Sequence, residues 1–432
     1  WYVAQAIAEQ GADFVYTDEV TFEGDIDHLT VYHFKPDYML DNLRSNNYIC
    51  HLSVFSAKLL AAVGGDERAA FNGSQDYDLY LRLTEKAHKI VHIPHLLYYW
   101  RSSPTSVASN ISAKMYCLEA AMKALRAHYK RVGVPVDDVT MIPNTPGFYK
   151  TDYTITKPGK VSILIPSCDH ASDLRTCVDS IYRKTTYADF EVLIIENNSK
   201  EDGTFHLYEQ LQKEHPDNLR VLYWKGTGFN YSALNNFGAK EATGEYLLLL
   251  NNDIKVLSSD FLRELLSYSQ RPDVGAVGAK LYYPDDTIQH AGVLMGINGS
   301  AGHSHKSYPR TAVGDMYRLV TTQNYMAVTG ACLMTKASLY RAFGGLDKEK
   351  FAVAYNDVDY CLKLWQKGLL NVYTPRAEAY HYESKSRGLD TLSENAKRYE
   401  REKANFYAKY QQYIDNYDPY YNPHFNLSLI HI

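Results

Sequence analysis

The 432-residue chain is 45% hydrophobic and 22% charged, an ordinary composition for folded globular protein and enough length for two or three domains with their own cores. A formal net charge of -5, with no run of Lys and Arg interleaved with aromatics, gives no field for gripping a phosphate backbone and argues against nucleic acid as a partner. The six scattered cysteines, Cys50, Cys117, Cys168, Cys177, Cys332 and Cys361, lack the spacing of a zinc site and the density of a disulfide scaffold, which points to a reducing compartment, the cytoplasm.

In chain order, residues 1–10 read as a helix without an initiator Met, so the chain is expected to be a fragment. No apolar stretch approaches the roughly 20 residues of a membrane helix. Comparing the chain with itself then exposes two related segments. Val63-Gly64-Gly65 leads to Gln75-Asp76-Tyr77-Asp78 and on to Pro94; Phe343-Gly344-Gly345 leads to Asn356-Asp357-Val358-Asp359 and on to Pro375, with the same interval from Asp to Pro. Upstream, residues 48–52 parallel 329–333. Two copies of one domain type are implied. Trp1 aligns near Phe261, just beyond Asp253, so residues 1–133 are expected to hold only the C-terminal half of a module. Pro135, Pro143, Pro146, Gly147, Pro158 and Gly159 mark a linker over 134–158. A complete module is expected over 159–388 and a helical tail over 389–432.

That module alternates strand and helix: strands over 161–166, 191–196 and 221–223, helices over 172–183, 203–215 and 231–242. The order predicts an α/β fold, a mostly parallel sheet with right-handed crossovers and helices on both faces. Next, Tyr246-Leu247-Leu248-Leu249-Leu250 runs straight into Asn251-Asn252-Asp253. Five apolar residues suit a central strand, whose C-terminal end is where open α/β sheets place ligands. Either this strand delivers Asp253 to a site, or the three polar residues form a capping turn.

The turn after the first strand, Pro166-Ser167-Cys168-Asp169-His170, has no G-x-G-x-x-G, which weighs against a dinucleotide-binding dehydrogenase. Glu196 ends the second strand where an acid can hold a ribose or base, or cap a helix. Asp357 and Asp359 open an apolar-periodic segment. Both suit the first turn of a helix, and Asp357 also suits a general base at the helix mouth. His381 ends a strand-like run and could join a carboxylate on a metal, although a lone His is more often structural. Residues 383–388 read as a polar, basic lid whose Lys385 and Arg387 meet diphosphate oxygens, or as a solvated loop. His290, His303 and His305 read as structural or acceptor-side residues.

Together, Val161-Ser162-Ile163-Leu164-Ile165-Pro166, Glu196-Asn197-Asn198-Ser199, Phe229-Asn230-Tyr231-Ser232 with Asn235-Asn236, Leu250-Asn251-Asn252-Asp253, Gly330-Ala331-Cys332, Asn356-Asp357-Val358-Asp359 and His381 resemble family-2 glycosyltransferases of the GT-A fold, particularly the bacterial rhamnosyl- and galactofuranosyl-type enzymes. The resemblance implies a Rossmann-like mixed sheet and a nucleotide pocket of Pro166, Asp169, Glu196, Asn235 and Asn252. It implies a divalent ion, Mn2+ or Mg2+, on Asp253 and His381, with Asn251 standing where the D-x-D motif often has its first Asp. Asp357 becomes the base of an inverting transfer, with Asp76 its equivalent in the first copy. The implied partners are a nucleotide-diphosphate sugar and a glycan or lipid-linked glycan of the cell surface, reached from the cytoplasm, with room for peripheral association at the inner face of the plasma membrane. The rival reading is a catalytically silent glycan- or nucleotide-sugar-binding subunit.

Overall fold

The computed structural model describes residues 1–65, 69–102, 115–383 and 393–425. They fall into two compact units. The first holds 1–154, 321–323 and a C-terminal segment from Tyr417; the second holds 155–320 and 324–416.

In the first unit, α1 (Tyr2–Gln10) ends where Gly11 takes φ 67, a left-handed cap that glycine adopts without strain. Strand β1 (Phe14–Phe22) follows and is buried along almost its whole length. It pairs antiparallel with β2 (Leu29–His33) and β3 (Ser53–Phe55), and parallel with β4 (Ile90–Arg101). Helices α2 (Leu40–Leu43), α3 (Ala57–Ala62), α4 (Gln75–Thr84) and α5 (Met115–Val132) complete this layer, α3 being N-capped by the Ser56 side chain. The stretch expected as a linker contains an antiparallel hairpin, β5 (Val136–Met141) and β6 (Tyr149–Tyr153), in the first unit. Its prolines and glycine stand at the ends and turn of the hairpin, positions that need no ladder N–H, so they punctuate order rather than abolish it.

The second unit is built on β7 (Val161–Ser167), α6 (Ala171–Lys184), β8 (Phe190–Glu196), α7 (Asp202–Glu214), β9 (Leu219–Tyr223), α8 (Tyr231–Glu241) and β10 (Tyr246–Leu250). Strands β10, β7, β8 and β9 are parallel neighbours, as the alternating pattern predicts. Gly238 lets α8 press on this sheet, because a Cβ there would come within 2.6 Å of Ile195 Cδ1. All five residues of β10 are buried, and each leucine is worth roughly 1.5–3 kcal/mol of apolar transfer.

Beyond β10 come β11 (Ile254–Val256), α9 (Phe261–Ser269), β12 (Val274–Tyr282), β13 (Ile288–His290), β14 (Val293–Met295), β15 (Ala301–His303), β16 (Gln323–Tyr325), β17 (Cys332–Lys336), α10 (Ala337–Ala342), α11 (Asn356–Trp365), β18 (Leu370–His381) and α12 (Ser393–Ile414). The sheet runs β11-β18-β12-β17-β10-β7-β8-β9. It is mixed: β17 lies antiparallel to both β10 and β12, while β12 and β18 are parallel. The order helix, long strand, antiparallel strand, short helix, acid-led helix, parallel strand occurs in both units, as α1-β1-β3-α3-α4-β4 and as α9-β12-β17-α10-α11-β18.

Candidate functional site

A cleft of about 610 Å3 opens in the second unit. Its floor is made by strand ends and its walls by loops, the usual placement for ligand chemistry in an α/β sheet. Pro166 and Ser167 reach it from β7, Asn197 from the end of β8, and Asn251, Asn252 and Asp253 from the end of β10. The strand into Asn251-Asn252-Asp253 therefore does deliver its polar triplet to a cleft. Asn252 is 7% exposed and donates to Ser167 Oγ at 3.4 Å.

The register of β11 on β18 pairs Ile254 with His381, which sets Asp253 beside that ring. Asp253 Oδ1 and His381 Nε2 lie 3.2 Å apart, and Asn251 Nδ2 lies 3.1 Å from the same nitrogen. His381 Nδ1 is buried without a hydrogen-bond partner. Adjacent donors on an octahedral ion with bonds of about 2.1 Å are about 3 Å apart, so this carboxylate and imidazole fit a divalent cation. Among the described residues no cluster of three or more His, Cys, Asp or Glu is arranged for a metal, so the protein would supply two donors.

Asp357 sits on the first turn of α11. Its Oδ2 accepts the Gly330 N–H at 2.7 Å, and Tyr231 Oη donates to the Gly330 carbonyl at 2.7 Å. Gly330 is needed here for close approach: a Cβ would stand 3.2 Å from Asp357 Cβ and 3.6 Å from the Tyr231 ring. Burial pushes the Asp357 carboxyl above the usual value, and the backbone N–H groups of Gly330 and Val358 only partly oppose it. A raised carboxyl in a cleft is the state a general base wants.

Asp359, two residues on, plays another part. It is fully buried, paired with Lys363 at 2.7 Å and Lys409 at 2.5 Å, and accepts Tyr410 Oη at 2.7 Å. It fastens α12 to α11.

Three expected nucleotide residues lie outside the cleft lining. Glu196 accepts Ser199 Oγ and Tyr208 Oη, both at 2.6 Å, and the Ser199 N–H at 2.5 Å. Asp169 accepts the Lys200 and Glu201 N–H groups at 2.9 Å and so ties the β7 turn to the start of α7. Asn235 is fully buried in α8, donating to the Tyr231 carbonyl at 2.9 Å. The first two brace loops, and Asn235 braces its own helix. Asp76, in the first unit, accepts Asn47 Nδ2 at 2.8 Å. Lys385 and Arg387 lie outside the described residues.

Residues the sequence did not single out also line the cleft. Asn395, Arg398 and Tyr399 come from α12, and Tyr355 stacks on Tyr399 with ring centroids 5.9 Å apart. Glu402 of the same helix accepts the Ala354 N–H at 2.6 Å, two residues before Asn356. Gln289 lines the cleft too, together with two residues the sequence did single out, His303 as structural or acceptor-side and Glu383 at the head of the polar, basic segment. The long, highly polar α12 carried no motif, so only its contacts reveal this role.

Residues 158–405 match the family model described as glycosyltransferase like family 2. The chain is 42% identical over 430 residues to the protein y4gI of Sinorhizobium fredii, covering 99% of this chain and 46% of that one. It is 38% identical over 427 residues to O-antigen biosynthesis protein RfbC of Myxococcus xanthus, covering 98% and 32%. It is 26% identical over 219 residues to N-acetylglucosaminyl-diphospho-decaprenol L-rhamnosyltransferase of Mycobacterium tuberculosis, covering 46% and 69%. The chain spans less than half the length of the first two relatives. No described helix is long and apolar enough to cross a membrane.

Proposed function

The chain belongs to glycosyltransferase family 2, and on that premise we propose that its second unit moves a sugar from a nucleotide-diphosphate sugar to a growing cell-surface polysaccharide, by a single displacement that inverts the anomeric carbon. The observation that carries this reading is Asp357, a burial-raised carboxylate anchored on Gly330 and lining the same cleft as Asp253 and His381. Asp357 takes the proton from the attacking acceptor hydroxyl as its oxygen bonds to the anomeric carbon. The bond from that carbon to the diphosphate breaks, and the nucleoside diphosphate leaves with the electron pair. Asp253 and His381 would hold Mn2+ or Mg2+, which supplies charge neutralisation for that leaving group. Pro166, Asn197 and Asn252 face the nucleotide, while Glu196 and Asp169 keep its loops in shape and Asn235 braces α8 behind them.

The names of two relatives favour surface glycan assembly, one in O-antigen biosynthesis and one acting on a lipid-linked diphosphosugar. A lipid-linked acceptor would bring the protein to the inner face of the plasma membrane. The first unit, with Asp76 at the base position, is proposed as the acceptor half of a second module, with residues 134–158 joining it to the active one.

The test is turnover of a panel of UDP-, GDP- and dTDP-sugars with Mg2+ or Mn2+, in the chain and in Asp357→Asn. Turnover that chelation abolishes and Asp357→Asn cripples supports the enzyme. Nucleotide binding without turnover, unchanged by Asp357→Asn, points instead to a silent binding subunit.

A further inference from the structure

One wall of the cleft carries polar groups that the transfer step above leaves unused. His290 is fully buried, and its Nε2 lies 3.3 Å from the Gly292 N and 3.4 Å from the Thr329 N. A backbone N–H can only donate, so Nε2 accepts, and a neutral imidazole then carries its proton on Nδ1. That Nδ1 is 2.9 Å from His303 Nδ1, so His290 donates and His303 accepts. The His303 proton is thereby forced onto Nε2, for which the described residues supply no partner. Burial favours the neutral rings: it pushes His290 well below its ordinary value and His303 down to about 4.

Gln289 stands beside them, 3% exposed and lining the cleft, with Oε1 buried and without a hydrogen-bond partner. Its Nε2 reaches Glu383 Oε2 at 3.4 Å, and Glu383 lines the cleft as well. The wall thus offers one fixed donor and two acceptors. A hydroxyl both donates and accepts, so a pair of them satisfies this set, whereas a phosphate would meet the Glu383 carboxylate and an apolar group would leave Gln289 unsatisfied. The wall also lies toward β12 and β18, with β17 and β10 between it and the nucleotide-side strands β7 to β9.

We propose that Gln289, His303 and Glu383 form a subsite for neighbouring hydroxyls of the acceptor sugar, with His290 as the positioning residue that fixes the His303 tautomer. The proposal rests on the glycosyl-transfer reading of this cleft.

The experiment uses the whole chain, the same nucleotide-sugar panel, and methyl glycosides of hexoses and 6-deoxyhexoses as acceptors. His303→Phe and Gln289→Leu are expected to raise acceptor KM about tenfold to a hundredfold and to leave donor KM and donor hydrolysis unchanged. His303→Gln, which keeps an N–H at similar reach, is expected to recover most of the loss. Saturation-transfer NMR with the methyl glycosides reads the subsite without turnover, and 15N-histidine NMR is expected to show His303 protonated on Nε2. Unchanged glycoside binding in the variants, an effect confined to donor KM, or a His303 proton on Nδ1 overturns the subsite. Absence of turnover with every donor, with glycoside binding intact, overturns the transferase reading alone.

Discussion

Asp78 and Asp359, matched by the internal repeat, do the same work in the two units, whereas Asp76 and Asp357, two residues earlier in each motif, keep different company. Asp78 is 1% exposed, bonds Arg82 one turn along its own helix at 2.8 Å, and faces Arg131 of α5 at 3.8 Å. Asp359 does the same with Lys363 and with Lys409 of α12. Asp357, by contrast, takes a backbone N–H from Gly330, while Asp76 takes a side-chain amide from Asn47. By the same spacing Ile49 corresponds to Gly330, and Trp100, packed edge-on to His51 at 4.9 Å, corresponds to His381. A buried acid is kept in place by the energy of its pairing whatever the unit does. The acid two residues earlier has no such ion pair, and its surroundings differ between the units.

The largest effect that can break this comparison is on turnover. Asp357→Asn is expected to lower glycosyl transfer by about 10²–10⁴-fold, the usual contribution of a general base, with donor KM unchanged. Asp76→Asn is expected to leave transfer by the second unit unaffected. Steady-state kinetics on the two variants decides it, and the reverse ranking would move the active centre to the first unit.

The paired acids give the next effect. Removing one partner of a buried ion pair costs about 3–5 kcal/mol, because the remaining charge stays desolvated. Asp78→Ala, which strands the buried Arg82, is expected to lose stability on that scale in denaturant titration, and Asp359→Ala, whose partners Lys363 and Lys409 reach solvent, is expected to lose less. A loss at one and none at the other would end the structural equivalence of the two positions.

Much of this was legible in the sequence because burial and function use different alphabets. The leucines of β10 and the alternation of strand and helix over 161–250 follow from local pattern, and the observed bounds differ from the expected ones by one or two residues at most termini. The meeting of Asp253 with His381 follows from the register that pairs Ile254 with His381, residues 127 apart, which no local pattern encodes. Glu196 and Asp169 stand near strand ends but turn toward their own loops, and Asn235, inside α8, turns back onto its own helix. Chain position specified where they are, and only side-chain partners specified which way they face. The hairpin over 136–153 was hidden for the opposite reason, since its proline-rich turn resembles a linker until the strands pair.

A smaller effect separates Gly330 from Ile49, the residue at the matching spacing in the first unit. In Gly330→Ala the new Cβ stands 3.2 Å from Asp357 Cβ, so the acid must give by a few tenths of an ångström. Misplacement of that size is expected to lower kcat by a few-fold to about tenfold while leaving donor binding intact. Ile49→Ala in the first unit, tested beside it, is expected to leave kcat alone.

The smallest effect concerns stability and its sign. Burial raises the Asp357 carboxyl, so the folded chain binds that proton more tightly than the unfolded chain does. The resulting stabilisation is fully present below the unfolded value near 3.9 and is lost as pH rises through the folded value. At pH 7 the folded state therefore carries a half-buried, ionised carboxylate at a net cost, and asparagine removes the charge while keeping an oxygen for the Gly330 N–H. Asp357→Asn is expected to unfold at higher denaturant than wild type at pH 7, with the gap closing as pH falls toward about 4. The residue proposed as the base would then be one the fold is better off without. If Asp357→Asn is instead less stable at every pH, its hydrogen bonds outweigh its desolvation, and Asp357 would join Asp359 among the acids that hold the scaffold together.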